Sequence, residues 1–241
     1  GCDEQPAVFH YNDLPGILLG SAVQRLMRLY AVKPFSRGVV LTANADGYQT
    51  AADLHRTGIS VAAIADLRPG GEASSLAETI QELGIPVHTG FGIHEAVPKK
   101  AKKGVREVLL RPLDSDGSLG HDRSGKDARS LREVSVPCDG VAVSVGWAPA
   151  DGLLRQGKTV MQYSDALEQF VPEKLPPGLF AAGRVNGIYD LDHQLEDGRR
   201  AGVEAAKAAS DGGEVTETEA SSQTITPSPE REGPPRSHPY P

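Results

Sequence analysis

The stretch LFAAGRVNG places a glycine and then an arginine at the end of an apolar segment. Its last five residues are Gly183, Arg184, Val185, Asn186 and Gly187. A strand predicted over 179–182, ending near the N-terminus of a helix predicted over 190–209, forms a ready site for an anion. Arg184 would add a positive charge that can grip a phosphate through two hydrogen bonds. The alternative interpretation pairs Arg184 with a nearby acid, Asp190 or Asp197.

The helix predicted over 190–209 has small and apolar residues along one side. These residues are Leu191, Leu195, Gly198, Gly202 and Ala205. Two glycines inside a helix cost about 1 kcal/mol each relative to alanine. We therefore expect another part of the structure, either the sheet or a ligand, to approach this side closely.

A second group of candidates follows the apolar strand 39–41. On the dinucleotide-binding pattern G-x-G-x-x-G the three glycine positions hold Thr42, Asn44 and Gly47. Asp66 ends the next strand about twenty residues further on, where a ribose-binding acid stands in such sites. Only Gly47 is a glycine, and the Asn44 side chain occupies the position at which pyrophosphate approaches the backbone. The residues predict a nucleotide site at Asn44, Gly47 and Asp66 or, alternatively, a Rossmann scaffold whose site has degenerated.

The third candidate is the end of the strand in GVAVSVGWAP. Gly146 permits a sharp turn there, and Trp147, the only tryptophan, either stacks on a flat cofactor ring or fills the edge of the core. The seven histidines form no H-x-x-x-H pattern or Cys/His cluster, so we expect no metal site. Cys2 and Cys138 stand far apart, and no G-x-S-x-G nucleophile motif occurs, so no catalytic residue can be named.

The elements that position these candidates alternate between strand and helix. Apolar strands are predicted at 38–43, 59–67 and 85–91, separated by helices at 47–58 and 72–83. This order predicts an α/β fold with a Rossmann-like, doubly wound parallel sheet. Beyond residue 90, half-buried strands joined by polar turns predict a β-meander or hairpin layer. Over 17–30 the spacing predicts a helix with Leu18, Ala22, Leu26 and Leu29 on one face.

Composition limits the classes of function. The net charge of −7 and the sequence pI of about 5.5 argue against a nucleic-acid or anionic-membrane partner. No apolar run reaches the roughly 18 residues that span a bilayer, so we expect a soluble, cytoplasmic protein. Residues 210–241 are rich in Ser, Thr, Glu and Pro, which predicts a disordered linker or tail.

Taken together, these stretches resemble the two-dinucleotide-domain oxidoreductases of the glutathione-reductase type. A closer resemblance is to the alpha subunits of heterotetrameric sarcosine oxidases. It covers residues 5–206 and is carried by VVLTANADGYQTAADL, VPCDGVAVSVGWAP, DALEQFVPEKLPPGLFAAGRVNG and LEDGRRAG. The resemblance implies that the chain is an internal fragment. It also implies four segments: 1–34 ends an interrupted first dinucleotide-binding domain, 35–134 is an inserted second Rossmann-like domain, 135–209 returns to the first domain, and 210–241 is a flexible linker.

The resemblance also implies the cofactors and partners. NAD would occupy the first site, bordered by Gly146, Trp147 and residues 183–187. FMN would lie at the interface with a beta subunit that carries covalent FAD, and tetrahydrofolate would bind a downstream domain. In flavin-binding members the position of Arg184 is an aspartate that hydrogen-bonds the ribityl chain, so Arg184 argues against conventional FAD.

The implied enzyme is an FAD/NAD-dependent oxidoreductase acting on CH–NH donors. The complete complex would demethylate sarcosine to glycine, form hydrogen peroxide and pass the one-carbon unit to tetrahydrofolate, whereas this fragment alone would be inactive. Two alternatives remain. One is an electron-transfer subunit of a proline, hydroxyproline or opine dehydrogenase, and the other is a non-catalytic Rossmann-like module that docks a partner.

Overall fold

The computed structural model describes residues 1–114, 119 and 133–210, together with the backbone of 218–219. The described residues form two compact units. The sheet unit is Glu4–Gly146, and the C-terminal unit consists of Gly1–Asp3 with the described residues from Trp147 onward. The tail predicted over 210–241 lies almost entirely outside the described residues.

The bounds of the described elements are as follows. The strands are β1 (Cys2–Glu4), β2 (Ile17–Leu19), β3 (Arg37–Thr42), β4 (Ser60–Asp66), β5 (Val87–Thr89), β6 (Phe91–Pro98), β7 (Val105–Pro112), β8 (Val134–Pro137), β9 (Gly140–Ser144), β10 (Trp147–Pro149), β11 (Val160–Ser164), β12 (Gln169–Leu175) and β13 (Thr218–Glu219). The helices are α1 (Gly20–Tyr30), α2 (Ala45–Arg56), α3 (Ser75–Glu82), α4 (Gly152–Gln156) and α5 (Leu191–Ser210).

The sheet unit is built on a five-stranded, fully parallel sheet in the order β2-β9-β3-β4-β5. Its central strands are largely apolar because both faces are covered. Helix residues such as Val23, Leu54 and Ile80 pack on one face. The antiparallel sheet β6-β7-β8 contributes Val108 and Leu110 to the cluster on the other face. The predicted doubly wound sheet with a hairpin layer is confirmed.

Local signals set the bounds of the helices in this sheet. Asn44 caps α2 by accepting a hydrogen bond from the Asp46 backbone N–H at 3.0 Å. After the helix ends, the chain reverses at Gly58, whose φ of +75° favours glycine. Ser74 caps α3 in the same way as Asn44, accepting from the Leu76 N–H.

The helix predicted over 17–30 is wrong in its first turn. Ile17–Leu19 form an outer strand paired with β9, so Leu18 belongs to the sheet. The helix begins at Gly20 and buries Gly20 and Val23, whereas Leu29 is 67% exposed. The apolar spacing matched a helix because a short strand runs directly into one without a break in hydrophobicity.

The C-terminal unit has a small core of Leu154, Leu175, Ala181 and Val185. Strands β11 and β12 form an antiparallel hairpin that the sequence analysis did not predict, and two residues of β13 extend it. The strand predicted over 179–182 is wrong: these residues precede the turn without joining a sheet among the described strands. The last helix is confirmed, because α5 covers Leu191–Ser210.

Candidate functional site

The guanidinium of Arg184 lies over two aromatic rings. Its Cζ is 4.4 Å from the centroid of the Trp147 ring and 5.4 Å from that of Tyr189. Nη1 also lies 3.6 Å from Cys2 Sγ. A cation over an aromatic face is attracted by the ring quadrupole, and the planar guanidinium suits such stacking. These two cation–π contacts favour the observed position of the Arg184 guanidinium.

No carboxylate among the described residues pairs with Arg184. Asp190 pairs with His193 at 3.2 Å, and Asp197 pairs with Arg200 at 2.6 Å. The alternative prediction, in which one of these acids neutralises Arg184, is therefore wrong. The positive charge of Arg184 is left without an acid in the part of the chain that the structure describes.

The turn that carries Arg184 is a single 3-10 turn over Gly183–Asn186. Gly183 and Gly187 bound it with φ values of +75° and +79°, a region that favours glycine. At Gly187 the fit is also close, because a Cβ atom would come within 2.4 Å of Leu167 Cδ1. Val185 is buried in the small core of the unit, so its side chain anchors the turn from below.

Asp197 holds this turn from α5, a role that the sequence analysis missed. Its Oδ2 accepts the Gly183 backbone N–H at 2.7 Å and the Asn186 Nδ2–H at 3.0 Å, while its Oδ1 accepts from Arg200. The Asp197 side chain is only 4% exposed, and Arg200 balances its charge. The sequence does contain one signal for this pair: Asp197 and Arg200 are three residues apart on a predicted helix, a spacing at which side chains are neighbours.

The remaining backbone groups of the turn are also bonded. The Gly187 and Ile188 N–H groups donate to the carbonyls of Arg184 and Gly183. Asn186 Oδ1 is buried and has no partner among the described residues. The Arg184 guanidinium is thus the main donor that this turn can offer to an anion.

Cys2 does not provide a reactive thiolate beside Arg184. Burial raises the pKa of the Cys2 thiol, and the neighbouring Arg184 only partly offsets that effect. Because the thiolate is the nucleophilic form, a raised pKa keeps Cys2 inert near neutral pH. The described residues also contain no cluster of three or more His, Cys, Asp or Glu side chains suited to a metal.

The other candidate from this region is Gly146, which ends the sheet unit just before Trp147 opens β10. The Gly146 carbonyl accepts the Gln5 backbone N–H at 2.9 Å. Gly146 therefore has a structural contact of its own, and Trp147 uses one ring face to stack with Arg184.

The side chains of the turn after β3 form hydrogen bonds within the sheet unit. Thr42 Oγ1 accepts the Asn44 N–H at 3.1 Å and lies within 2.9 Å of the Ser144 carbonyl, to which it can donate. The amide oxygen of Asn44 caps α2, but its Nδ2 is buried and lacks a partner among the described residues. At Gly47 a Cβ atom would come within 2.2 Å of Thr42 Oγ1, so this glycine allows α2 to pack closely on β3.

Asp66 is saturated by groups of the sheet unit itself. Its Oδ1 accepts from Arg68 Nε at 3.0 Å, and its Oδ2 accepts from Arg68 Nη2 at 2.8 Å and from the Tyr48 hydroxyl at 2.9 Å. Asp66 is fully buried and Tyr48 is 2% exposed. Burial and the Asp66 charge raise the pKa of Tyr48, so the phenol stays protonated and donates. The sequence analysis missed both Tyr48 and Arg68, which stands two residues after the acid.

A buried carboxylate, Glu4, also escaped the sequence analysis. Its Oε2 accepts the Ser21 backbone N–H at 2.7 Å at the start of α1, where the N-cap residue Leu19 offers no side-chain cap. Burial raises the pKa of Glu4, and the negative charge of Asp46 adds to the effect. Two acids thus lie near each other in the sheet unit, an arrangement unfavourable to a phosphate.

Sequence comparison finds relatives among sarcosine oxidase alpha subunits. The chain is 31% identical over 211 residues, 87% of its length, to the subunit alpha of Corynebacterium sp. (strain P-1). It is 28% identical over 206 residues, 86% of its length, to that of Corynebacterium sp. (strain U-96). The chain spans only 20% of the length of each of these two relatives. No protein-family model matches the chain.

Solved structures with the same fold include two thioredoxin reductases. The enzyme of T. acidophilum superposes with a TM-score of 0.58 at 18% identity, covering 88% of this chain and 63% of that one. The enzyme of Lactococcus lactis gives 0.59 at 17% identity, covering 88% and 64%. The L-proline dehydrogenase of P. horikoshii gives 0.55 at 15% identity, covering 90% and 34%. At these identities the likeness establishes the fold alone, and it confirms the Rossmann-like α/β class.

Proposed function

The chain is a homologue of one stretch of the sarcosine oxidase alpha subunit, and on that premise we propose that it holds a dinucleotide in a multi-subunit flavin- and NAD-dependent oxidoreductase. The observation that carries the proposal is the Arg184 guanidinium, which lies over the rings of Trp147 and Tyr189 and has no acid partner among the described residues. A half-buried cation of this kind suits the diphosphate of a dinucleotide.

The proposed cofactor-binding residues of the C-terminal unit are Trp147 and the turn 183–187, with Gly146 adjoining them in sequence. The turn fits one wall of a dinucleotide site rather than a whole site, because its Gly183, Gly187 and Ile188 N–H groups are already bonded within the unit. In this proposal the main phosphate-binding loop is supplied by another part of the complete polypeptide. A bound NAD would supply hydride transfer, while Arg184 would orient its diphosphate.

An arginine at position 184 favours NAD over FAD in this proposal. The resemblance predicts an aspartate there in flavin-binding relatives, where the acid accepts a hydrogen bond from the ribityl chain. A guanidinium cannot accept a hydrogen bond. FMN and FAD would then lie in other parts of the complex, as the resemblance implies.

A structural role is the second candidate function, and it concerns the sheet unit. Contact of Asn44, Gly47 and Asp66 with a nucleotide remains a prediction. Three observations favour a scaffold instead: Asn44 caps α2, Gly47 makes a close packing contact with Thr42, and Arg68 with Tyr48 saturates Asp66. A ribose hydroxyl would have to displace one of these internal partners.

The wider activity is also part of the proposal. The complete complex would oxidise sarcosine to glycine in the cytoplasm, with a beta subunit as partner and tetrahydrofolate as one-carbon acceptor. The proposed segments are those of the resemblance: 1–34, 35–134, 135–209 and 210–241. The alternative substrate class is proline, hydroxyproline or an opine, with this chain in an electron-transfer subunit.

Two measurements on the purified complete complex test the proposal. Extraction and chromatography of the bound nucleotides should yield NAD together with flavin, and sarcosine should reduce the flavin absorbance faster than proline does. A complex that contains no NAD would refute the cofactor assignment. A complex that retains NAD but is reduced by proline alone would support the dehydrogenase alternative.

A further inference from the structure

The turn that carries Arg184 has a second buried support, the amide of Gln169 on β12. Gln169 Nε2 donates to the Arg184 carbonyl at 3.3 Å, and its Oε1 accepts the Tyr189 hydroxyl. Because a carbonyl can only accept, the Arg184 carbonyl fixes which end of the amide carries the donor and leaves the oxygen to accept from Tyr189. One side chain thus joins the backbone of Arg184 to a ring over which the Arg184 guanidinium lies.

Gln169 is itself tightly enclosed. It is only 2% exposed, and its strand β12 forms the hairpin with β11. A Cβ atom at Gly187 would come within 3.4 Å of Gln169 Nε2, so the glycine that closes the turn packs directly against the amide. Burial of an amide costs free energy unless its polar atoms are bonded. Here the oxygen and the nitrogen are both bonded, and both bonds lead to residues around the Arg184 cation.

The Tyr189 ring depends on this contact for its orientation. Tyr189 lies between the turn and the start of α5, outside any helix or strand, so regular backbone structure does not fix its side chain. The hydrogen bond from its hydroxyl to Gln169 limits rotation of the ring. Asp197, the other support of the turn, bonds to the Gly183 N–H and the Asn186 side chain instead. Asp197 therefore shapes the backbone of the turn, whereas Gln169 also acts on the ring.

We propose that Gln169 is a positioning residue for the Arg184 cation. By holding the Tyr189 ring and the Arg184 carbonyl with one amide, it keeps the guanidinium where it meets the diphosphate of a dinucleotide. The contact with the diphosphate rests on the proposed function, whereas the positioning of the guanidinium needs no nucleotide. Because Gln169 acts through Arg184, its effect on NAD affinity should disappear when the cation is removed.

Chemical modification of Arg184 tests the positioning without a nucleotide. Phenylglyoxal, an arginine reagent, is applied to the complete complex after its bound nucleotide has been removed, and peptide mapping gives the rate at each arginine. In Gln169→Met the rate at Arg184 should rise by about fivefold, the equivalent of one lost hydrogen bond, because the guanidinium leaves the rings. An unchanged rate at Arg184 would overturn the proposal.

Two controls separate this effect from a general loosening of the unit. Gln162→Met makes the same substitution at an exposed residue of the paired strand β11, and it should leave the rate at Arg184 as in wild type. Arg200 is bonded to Asp197 and Glu204, so its own rate should not change in Gln169→Met. An equal rise at Arg184 and Arg200 would show that Gln169 only stabilises the unit, and would overturn the proposal.

A double-variant cycle tests whether Gln169 acts through Arg184. In isothermal titration of the complete complex, Gln169→Met alone should weaken NAD binding by about three- to tenfold. In the Arg184→Gln background the same substitution should change the affinity by less than about twofold, because no cation is left to position. A loss of equal size in both backgrounds would contradict the positioning role.

Tyr189→Phe provides a second variant if Gln169→Met does not fold. It keeps the ring and removes only the hydroxyl that Gln169 accepts, so it should also speed the modification of Arg184. Modification at the wild-type rate in Tyr189→Phe would overturn the proposal. Faster modification of Arg184 in Gln169→Met, with NAD affinity unchanged there and in Arg184→Gln, would support the positioning role and refute the cofactor assignment. Failure of one proposal is therefore distinguishable from failure of the other.

Discussion

Asp197 Oδ2 accepts the backbone N–H of Gly183 at 2.7 Å, which ties α5 to the turn that carries Arg184. The same oxygen also accepts from the Asn186 side chain, while Arg200 balances the charge from the other oxygen. One buried carboxylate thus sets the conformation of the turn without facing the Arg184 guanidinium. The position of Arg184 therefore depends on Asp197, whose own charge is balanced by Arg200.

Asp197→Asn should loosen this turn. The amide keeps one acceptor but loses the charge that pairs with Arg200, so we expect the free energy of unfolding to fall by about 1–3 kcal/mol. Urea unfolding of the complete polypeptide measures the loss. The control is Asp190→Asn, because Asp190 is more exposed and its side chain pairs only with His193 among the described ion pairs. Equal stability of the two variants would contradict the anchoring role.

Substitutions of Arg184 should distinguish the contribution of its charge to NAD affinity from the contribution of its contact with the Trp147 ring. Arg184→Gln removes the cation, and we expect it to weaken NAD binding by about tenfold or more, equivalent to about 1.4 kcal/mol. Arg184→Lys keeps the charge but loses the planar stack on Trp147, so its affinity should lie between those of wild type and Arg184→Gln. Arg184→Asp should bind most weakly, because it places a negative charge near the diphosphate.

Isothermal titration of the complete complex with NAD measures these affinities. Arg199→Gln serves as the control, because Arg199 pairs with Glu196 on the surface of α5. Affinity that is unchanged in all three Arg184 variants would remove the phosphate-binding role.

Much of the sheet unit could be predicted because its signals are local. The apolar run of β3 is followed at once by the Asn44 cap, and Gly58 ends the next helix, so strand, helix and turn all follow from neighbouring residues. The strand predicted over 179–182 failed for the opposite reason. An apolar stretch becomes a strand only when a partner strand is present, and the described strands offer none there.

The contacts of the candidate site join residues far apart in sequence. Arg184 stacks on Trp147 and approaches Cys2, and no periodicity or motif links these positions. The hydrogen bond from the Ser21 backbone N–H to the Glu4 carboxylate also joins residues far apart in sequence. This carboxylate lies outside α1 and takes the place of a local N-cap side chain. Sequence patterns identified the glycines around Arg184, but only the three-dimensional structure shows that Trp147 and Cys2 lie beside it.

The Tyr48 hydroxyl provides a test of the scaffold role of the sheet unit. Tyr48→Phe removes a buried hydrogen bond to Asp66, and we expect it to lower the free energy of unfolding by about 1 kcal/mol. Asp66→Asn should cost more, about 3 kcal/mol, because it leaves the Arg68 charge without its buried partner. The NAD content of the purified complex should be unchanged in both variants. Loss of NAD from Asp66→Asn, with Tyr48→Phe unaffected, would instead assign Asp66 to a nucleotide site.

The raised pKa of Glu4 predicts that its contribution to the free energy of unfolding decreases as pH rises. Its pKa in the folded protein is raised above the ordinary glutamate value of about 4.3, chiefly by burial. The folded state therefore binds the proton more tightly than the unfolded state does. The resulting contribution of Glu4 to stability is present below the ordinary pKa and is lost as pH rises through the raised one.

Glu4→Gln should remove this dependence, because the amide oxygen can still accept the Ser21 N–H without carrying a charge. The free energy of unfolding of Glu4→Gln relative to wild type should therefore increase as pH rises from about 4 to 7. Urea unfolding at a series of pH values measures this difference, and Glu82→Gln on the exposed side of α3 is the control. A difference that shrinks with rising pH would show instead that the Glu4 charge stabilises α1, with its helix dipole outweighing the cost of burial.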